Sequence, residues 1–163
     1  MTSWDATRGE CLVFTFKEGI LAAVAHDLKL RVGKFSVELD GDKLEAKFDP
    51  RSLSVVCAMK DGAEQPGLLG ARDREKIERT IVDEVLQAAR FPEIGFSALV
   101  PAGATTLDGA LRLHGVTRPI RLTVRERVAE VELNQPDFAI KPYSAMLGTL
   151  KIKPRVVVRI TLP

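Results

Sequence analysis

The sequence predicts a mainly β fold, either an antiparallel sandwich or a β-barrel of about eight strands, with one amphipathic α-helix packed against it. Three observations lead to this prediction. Apolar and polar residues alternate with period two over most of the chain, which is typical of strands that bury one face. Brief turns rich in Gly and Asp separate these segments, as in antiparallel sheets. Only between 73 and 90 do apolar residues recur at helical spacing.

The alternating segments follow one another from the start of the chain to its end. After Gly33 the apolar phase slips by one residue, which predicts a bulge or a bend there. Residues 40–43 (DGDK) predict a tight hairpin turn. The predicted strands are 11–16, 28–32, 35–39, 44–48, 52–58, 94–100, 107–113, 120–125, 129–133 and 156–162.

The predicted helix, about 73–90, has one apolar stripe that includes Ile77, Ile81 and Val85. Asp73 can cap its first turn, and Pro92 disfavours helix in the residue before it. A second, shorter helical segment is predicted over 19–25.

The whole chain, 1–163, is predicted to form a single domain. It contains no internal repeat, low-complexity tract or linker. Its 24 basic and 22 acidic residues leave a net charge of +2, so we expect no nucleic-acid partner. The longest uncharged stretch, 94–107, is shorter than the roughly 20 apolar residues of a membrane-spanning helix, so we expect no membrane insertion.

The N-terminal residues and the cysteines indicate the compartment. The first residues lack the basic and apolar regions of a secretory signal. Cys11 and Cys57 have neither a C-x-x-C nor a zinc-ligand spacing and lie in apolar segments, where a free Cys is usually a small buried hydrophobe. We therefore expect a cytoplasmic protein with no metal and no cofactor.

The interior of the predicted barrel is the candidate binding site. A barrel of about eight strands is either filled by its own side chains or holds one small ligand. The predicted inner faces are rich in Phe, Leu, Ile and Val, which suits an alkyl or prenyl chain better than a sugar or a nucleotide. The predicted lining residues are Phe14, Phe16, Leu30, Val32, Phe35, Val37, Phe96, Leu111, Leu122, Val156 and Val158.

Three polar residues are candidates for the rim of the barrel: His26, His114 and Tyr143. The sequence contains no recognisable catalytic motif, so we expect a binding protein rather than an enzyme. Two alternatives remain open at this stage. One is an enzyme that acts on a small apolar substrate with these rim residues. The other is a stress-response interaction module with a filled core and a dimer surface.

Three segments resemble motifs of the YceI-like family. Residues 107–119 (LDGALRLHGVTRP) resemble its G-x-L-x-L-H-G-V-T-[KR]-P motif, and residues 91–97 (FPEIGFS) resemble its [FY]-P-x-I-x-F-x-S motif. His26 followed by 32–35 (VGKF) resembles its H…V-x-G-x-F pattern. Residues 138–144 (FAIKPYS) resemble a motif of the subgroup whose members have no signal peptide. The resemblance implies a lipocalin-like antiparallel β-barrel with an α-helix against it. It also implies that the barrel holds a polyisoprenoid or another long amphiphile, for carriage or sequestration. It also implies homodimers and, in some members, a link to stress.

Overall fold

The computed structural model describes residues 1–18, 26–145, 148 and 150–163. The predicted helix over 19–25 therefore lies outside the described residues. The described part of the chain forms one antiparallel sheet of 13 strands and one helix, α1 (Ala71–Thr80). The strands are β1 (Thr2–Asp5), β2 (Glu10–Glu18), β3 (Asp27–Val32), β4 (Phe35–Asp40), β5 (Lys43–Phe48), β6 (Leu53–Lys60), β7 (Ala63–Gln65), β8 (Ile94–Leu99), β9 (Thr106–Leu113), β10 (Val116–Arg125), β11 (Val128–Asn134), β12 (Ser144–Ala145) and β13 (Leu150–Thr161).

The sheet curls into a barrel-like wall around one apolar interior. The strand order is β1-β4-β5-β8-β9-β10-β11-β13-β2-β3-β6-β7, with β12 paired to β13. Strands β3 and β4 are far apart in this order, yet only two residues of the chain join them. Strands β5 and β6 are also far apart, and a short 3₁₀ turn, Pro50–Ser52, joins them. The two ends of the sheet are thus tied together through the chain itself, which confirms the predicted mainly β fold.

The sheet bends at Gly33, as the phase slip predicts. The backbone N–H of Gly33 donates to the carbonyl of Ser52 (3.0 Å), and a Cβ on Gly33 would lie 3.1 Å from that oxygen. The N–H of Lys34 donates to Ser52 Oγ (2.9 Å). The position requires glycine because two backbone segments approach closely at the corner. The predicted turn at 40–43 is also confirmed, since β4 and β5 form a hairpin in which Gly41 has φ +64°.

The strand count exceeds the predicted number of about eight for two reasons. The bends divide two long strand paths into β3 with β4 and β5 with β6, and three short strands, β1, β7 and β12, add pairs at the margins of the sheet. The short strands escaped prediction because two to four residues are too few to show a period.

The helix differs from the prediction at both ends. It begins at Ala71 with Gly70 as N-cap, so Asp73 lies in the first turn and does not cap it. From Ile81 to Val85 the helix widens into a π-helical turn, in which the N–H of Leu86 donates to the carbonyl of Ile81 (2.8 Å). The helical path ends before residue 90 because Gln87 has a left-handed backbone, φ +49°.

The helix packs against the sheet by its apolar stripe and by one polar contact. Ile77 and Ile81 pack on a buried cluster of Leu28, Leu30 and Val55. A carboxylate oxygen of Glu78 accepts a hydrogen bond from the backbone N–H of Val55 (2.8 Å). This bond satisfies an amide at a point where the pairing of β3 with β6 is irregular. No helix in the described ranges is long and apolar enough to cross a membrane.

Candidate functional site

A cavity of about 950 Å³ occupies the interior of the curled sheet. Its lining comes from most of the strands and from α1, and it is mainly apolar. Cavities of this size and character bind small apolar ligands in other proteins. Because the interior is hollow, the structure does not have the filled core of the interaction-module alternative.

Eight of the eleven predicted lining residues border this cavity. They come from strands on every side of the wall, as the alternation predicts. Phe96 and the buried Leu111 pair across β8 and β9, and Leu30 packs in the cluster under α1. The predicted residues that border the cavity are Leu30, Val32, Val37, Phe96, Leu111, Leu122, Val156 and Val158.

The predicted inward orientation of Phe14 and Phe16 is wrong. In β2 the residues that line the cavity are Cys11, Val13 and Thr15, so the two phenylalanines lie on the other face. The pairing of β2 fixes this phase: Val13 lies opposite Leu30 of β3 and Val158 of β13, both of which border the cavity.

Arginines cover the two phenylalanines on the outer face. The guanidinium of Arg155 lies 4.0 Å from the ring centroid of Phe16, and that of Arg159 lies 5.0 Å from the centroid of Phe14. Cation–π contacts of this kind favour an aromatic ring at a solvated surface. Arg159 also donates to Glu130 (2.9 Å), which holds its side chain across β13 and β11.

Phe35 is a third correction, because it is buried but does not border the cavity. It is 5% exposed and belongs to the main core cluster. Its ring stacks on that of Phe48, with centroids 6.0 Å apart, and Phe48 is the residue that reaches the cavity. Phe35 therefore packs beside the lining, next to Phe48.

The rim candidates separate into two groups. His26 and Tyr143 both border the cavity. His114 does not, because both of its ring nitrogens face other parts of the chain. Nδ1 donates to the carbonyl of Phe138 (3.2 Å), Nε2 lies 2.9 Å from Gln87 Oε1, and Phe91 packs at a ring-centroid distance of 4.2 Å. His114 joins the β9–β10 hairpin to the segments that follow α1 and β11.

Apart from His26 and Tyr143, the sequence did not reveal the polar residues that border the cavity, nor the contribution of α1 to its lining. On α1, Asp73, Lys76 and Thr80 share one face with Ile77 and Ile81, at spacings of three and four residues. This spacing is visible in the sequence and could have predicted that the helix borders the cavity. Besides these and the rim residues His26 and Tyr143, the polar lining residues are Thr15, Glu126, Arg127 and Gln135.

Two of these polar groups lie deep in the wall. Gln135 is buried, and its Nε2 donates to the carbonyl of Lys153 (3.1 Å), where the pairing of β13 with β2 is irregular. The hydroxyl of Thr15 is buried and has no hydrogen-bond partner among the described residues. Gln135 thus stabilises the bulge, whereas Thr15 leaves one polar atom unsatisfied beside the cavity.

The cysteines are free thiols, and both are buried. Burial, with a smaller contribution from the nearby Glu10 carboxylate, raises the pKa of Cys11 to about 12. In the part of the chain that the structure describes, no three His, Cys, Asp or Glu side chains are grouped to hold a metal ion.

Comparisons with known proteins agree with this architecture. Residues 8–163 match the sequence model of the YceI-like domain. The chain belongs to the YceI-like family. No curated protein sequence matches it.

Two solved structures show that the YceI-like chain shares its fold with distant proteins. BcnA of Burkholderia cenocepacia superposes with a TM-score of 0.63 at 13% identity, over 97% of each chain. A polyisoprenoid binding domain from Saccharophagus degradans, implicated in plant cell wall breakdown, superposes with a TM-score of 0.59 at 14% identity. That alignment covers 95% of this chain and 94% of the other. At these identities the likeness shows the fold alone.

Proposed function

We propose that the protein binds a long apolar chain, a polyisoprenoid or a fatty-acyl lipid, inside its cavity. The observation that carries the proposal is the mainly apolar cavity of about 950 Å³ at the centre of the fold. The polyisoprenoid binding domain of the same fold supports it, as does membership of the YceI-like family. The role is carriage or sequestration of the chain, with a link to stress responses as the resemblance implies.

The size of the cavity favours a chain over a compact ligand. An apolar cavity of about 150 Å³ accommodates benzene, which gives roughly 25 Å³ for each carbon atom. On that scale the cavity of about 950 Å³ holds roughly 35 to 40 carbon atoms. Each buried methylene contributes about 0.8 kcal/mol, so affinity grows with chain length until the cavity is full.

The test compares two neighbouring valines of β13. Val158 borders the cavity, whereas Val157 lies opposite Phe14 and Glu132 on the outer face. We expect Val158→Trp to lower the bound isoprenoid at least roughly tenfold, because the indole occupies space that the ligand needs. Val157→Trp is the matched control and should retain the wild-type content. Native mass spectrometry and organic extraction measure the bound species.

A series of isoprenoids of increasing length then tests the class of ligand. Trp4 is the single tryptophan of the chain and borders the cavity, so its fluorescence reports occupancy of the wild-type protein. Affinity should rise with chain length and then level off. A wild-type protein that carries no lipid and also refuses added isoprenoids and fatty acids would contradict the proposal.

The proposal also covers the cellular compartment and the oligomeric state of the protein. The two buried free thiols support a reducing compartment, the cytoplasm. A homodimer is expected from the family resemblance, and sedimentation of the purified protein measures it.

An enzyme that acts on a small apolar substrate is the second candidate function. The observation that favours it is that His26 and Tyr143 border the same cavity. His114 is not part of this candidate, because its ring nitrogens face Phe138 and Gln87. If His26→Ala or Tyr143→Phe leaves the chemical identity of the extracted ligand unchanged, the binding function is favoured over the enzyme.

A further inference from the structure

The wall of the barrel has a gap between two neighbouring strands. Strands β10 and β11 pair only near their shared turn, at Thr123–Glu130, Val124–Ala129 and Arg125–Val128. Beyond these pairs, 118–122 and 131–134 form no ladder with each other in the described structure, although both strands continue. We call this gap the seam.

At the seam, β10 and β11 separate from each other, although each is well paired with its other neighbour. On its other side, β10 pairs with β9 from Val116 to Thr123. Strand β11 pairs with β13 along its whole length, from Val128 to Asn134. Each strand is therefore held in extended form by its outer neighbour, and the two diverge from each other.

Only one layer of side chains separates the cavity from the outside at the seam. A cleft of about 270 Å³ lies on the outer side of β10 and β11. Ile120, Val131, Leu133 and Phe138 border both this cleft and the interior cavity. All four are apolar, whereas the rest of the cleft is largely polar and includes Arg118, Glu132 and Asn134.

Both ends of the seam are fixed. The β10–β11 hairpin closes one end through the three residue pairs. At the other end, the bond from His114 Nδ1 to the carbonyl of Phe138 links the β9–β10 hairpin to the segment after β11. Phe138 itself is 2% exposed, so its ring is packed into this end. The seam is thus a bounded slot in an otherwise paired region of the sheet.

We propose that the seam is the lateral portal through which the apolar chain enters and leaves the cavity. This inference rests on the proposed function. An opening between paired strands would break several backbone hydrogen bonds, whereas widening the seam breaks none between β10 and β11. Its barrier is therefore set by side-chain packing. The passage is lined by apolar groups that suit an apolar chain and poorly suit a polar solute.

The first experiment blocks the cleft from the outside. Asn134 is exposed and borders the cleft but not the cavity, and the native cysteines are buried. Asn134→Cys is labelled with a polymer-bearing maleimide, and the rates of farnesol and longer isoprenoid uptake and release are followed by Trp4 fluorescence before and after labelling. We expect labelling to slow both rates roughly tenfold or more. Ser97→Cys, exposed on β8 away from the seam, is the matched control and should keep its rates.

The second experiment narrows the seam from within. Val131→Phe places a ring in the shared layer, and Val124→Phe places the same ring in the cavity at a paired position of β10. Both rings reduce the space for ligand, so only the exchange rates discriminate between the variants. We expect Val131→Phe to slow both uptake and release roughly tenfold, whereas Val124→Phe should weaken binding without slowing either rate.

The outcomes separate the portal from the binding function. Slow exchange confined to the labelled Asn134→Cys and Val131→Phe proteins supports the portal. Binding with exchange rates that respond equally to seam and control variants overturns the portal and leaves the proposed function intact. A wild-type protein that takes up no isoprenoid overturns both.

Discussion

The ring of Phe96 packs closely on Gly109 at the wall of the cavity, and a substitution at the glycine gives a sharp prediction. Gly109 lies on β9 between Leu107 and Leu111, which both border the cavity. The ring of Phe96 on β8 lies across the glycine, in the space that a Cβ would need. A Cβ would also lie 2.5 Å from the backbone carbonyl of Ser97. Gly109→Ala therefore forces the ring and the backbone of β8 to move.

The magnitude follows from what must move. Overpacking a core costs about 1–3 kcal/mol, and a backbone oxygen cannot swing aside as a side-chain tip can, so we expect about 3 kcal/mol. In a domain of this length that lowers the melting temperature by roughly 6–12 °C. Phe96 borders the cavity, so a ring displaced into it should lower the content of bound lipid as well.

Gly95 supplies the matched control on the adjacent strand. A Cβ on Gly95 would come no closer than 3.9 Å to its nearest neighbour, the carbonyl of Ala46. Gly95→Ala should thus be neutral or stabilising by roughly 0.4–1 kcal/mol. Urea denaturation measures the free energy of unfolding of both variants, and extraction measures their bound lipid. If Gly109→Ala unfolds at the same urea concentration as Gly95→Ala, the close packing of Phe96 on Gly109 is refuted.

Two further predictions concern the contact of α1 with the sheet and the buried thiol of β2. Glu78→Ala should destabilise the protein by about 1–3 kcal/mol and speed hydrogen exchange at the Val55 amide, because it leaves that donor unsatisfied, whereas Glu78→Gln keeps an acceptor and should change less. Equal exchange rates in the two variants would show that the hydrogen bond does not stabilise the contact. The raised pKa of Cys11, about 12, keeps its thiol protonated in the folded protein, so iodoacetamide at pH 8 should modify it only as fast as the protein opens. Since the unfolded thiol loses its proton near pH 9, this contribution to stability is complete below that pH and is lost as pH rises towards 12, and Cys11→Val should flatten that part of the stability profile.

Much of the wall could be predicted because most strands have one apolar face and one polar face, so the sequence shows which face is buried. In β3 the apolar residues Leu28, Leu30 and Val32 alternate with Lys29 and Arg31, so one face alone can be buried. The strands β4, β9 and β10 have the same property, and their predicted inner residues border the cavity, apart from Phe35. The polar face of each strand identifies the outside.

The phase of β2 could not be predicted because both of its faces are apolar. Cys11, Val13 and Thr15 form one face, and Leu12, Phe14 and Phe16 form the other. The larger side chains suggest the buried face, yet cross-strand partners decide the orientation. Val13 meets Leu30 and Val158, while Phe14 meets Lys29 and Val157. This information lies in residues far along the chain, which a local pattern does not contain.

The roles of the two histidines could not be predicted either, because they also depend on residues far apart in the sequence. His114 and His26 look alike in the sequence, since each lies at the end of a strand segment. Their different roles come from partners distant in sequence: Gln87 and Phe138 surround His114, whereas His26 borders the cavity. The helical path that begins with α1 and continues through the π-helical turn likewise ends at the left-handed backbone of Gln87, five residues before the proline that the sequence offers as a terminator.

The orientation of β2 also explains why the barrel is hollow. Aromatic side chains are the largest apolar groups available, and each can bury roughly 150–250 Å². Had β2 the opposite phase, Phe14 and Phe16 would enter the space now bordered by Val13 and Thr15. Placing the rings outside, under Arg155 and Arg159, keeps them shielded from water without filling the interior. The same orientation leaves the Thr15 hydroxyl in an apolar wall without a hydrogen-bond partner among the described residues, which is energetically costly. A β2 strand that turns its smaller residues inward is thus consistent with a barrel whose interior is kept for a ligand.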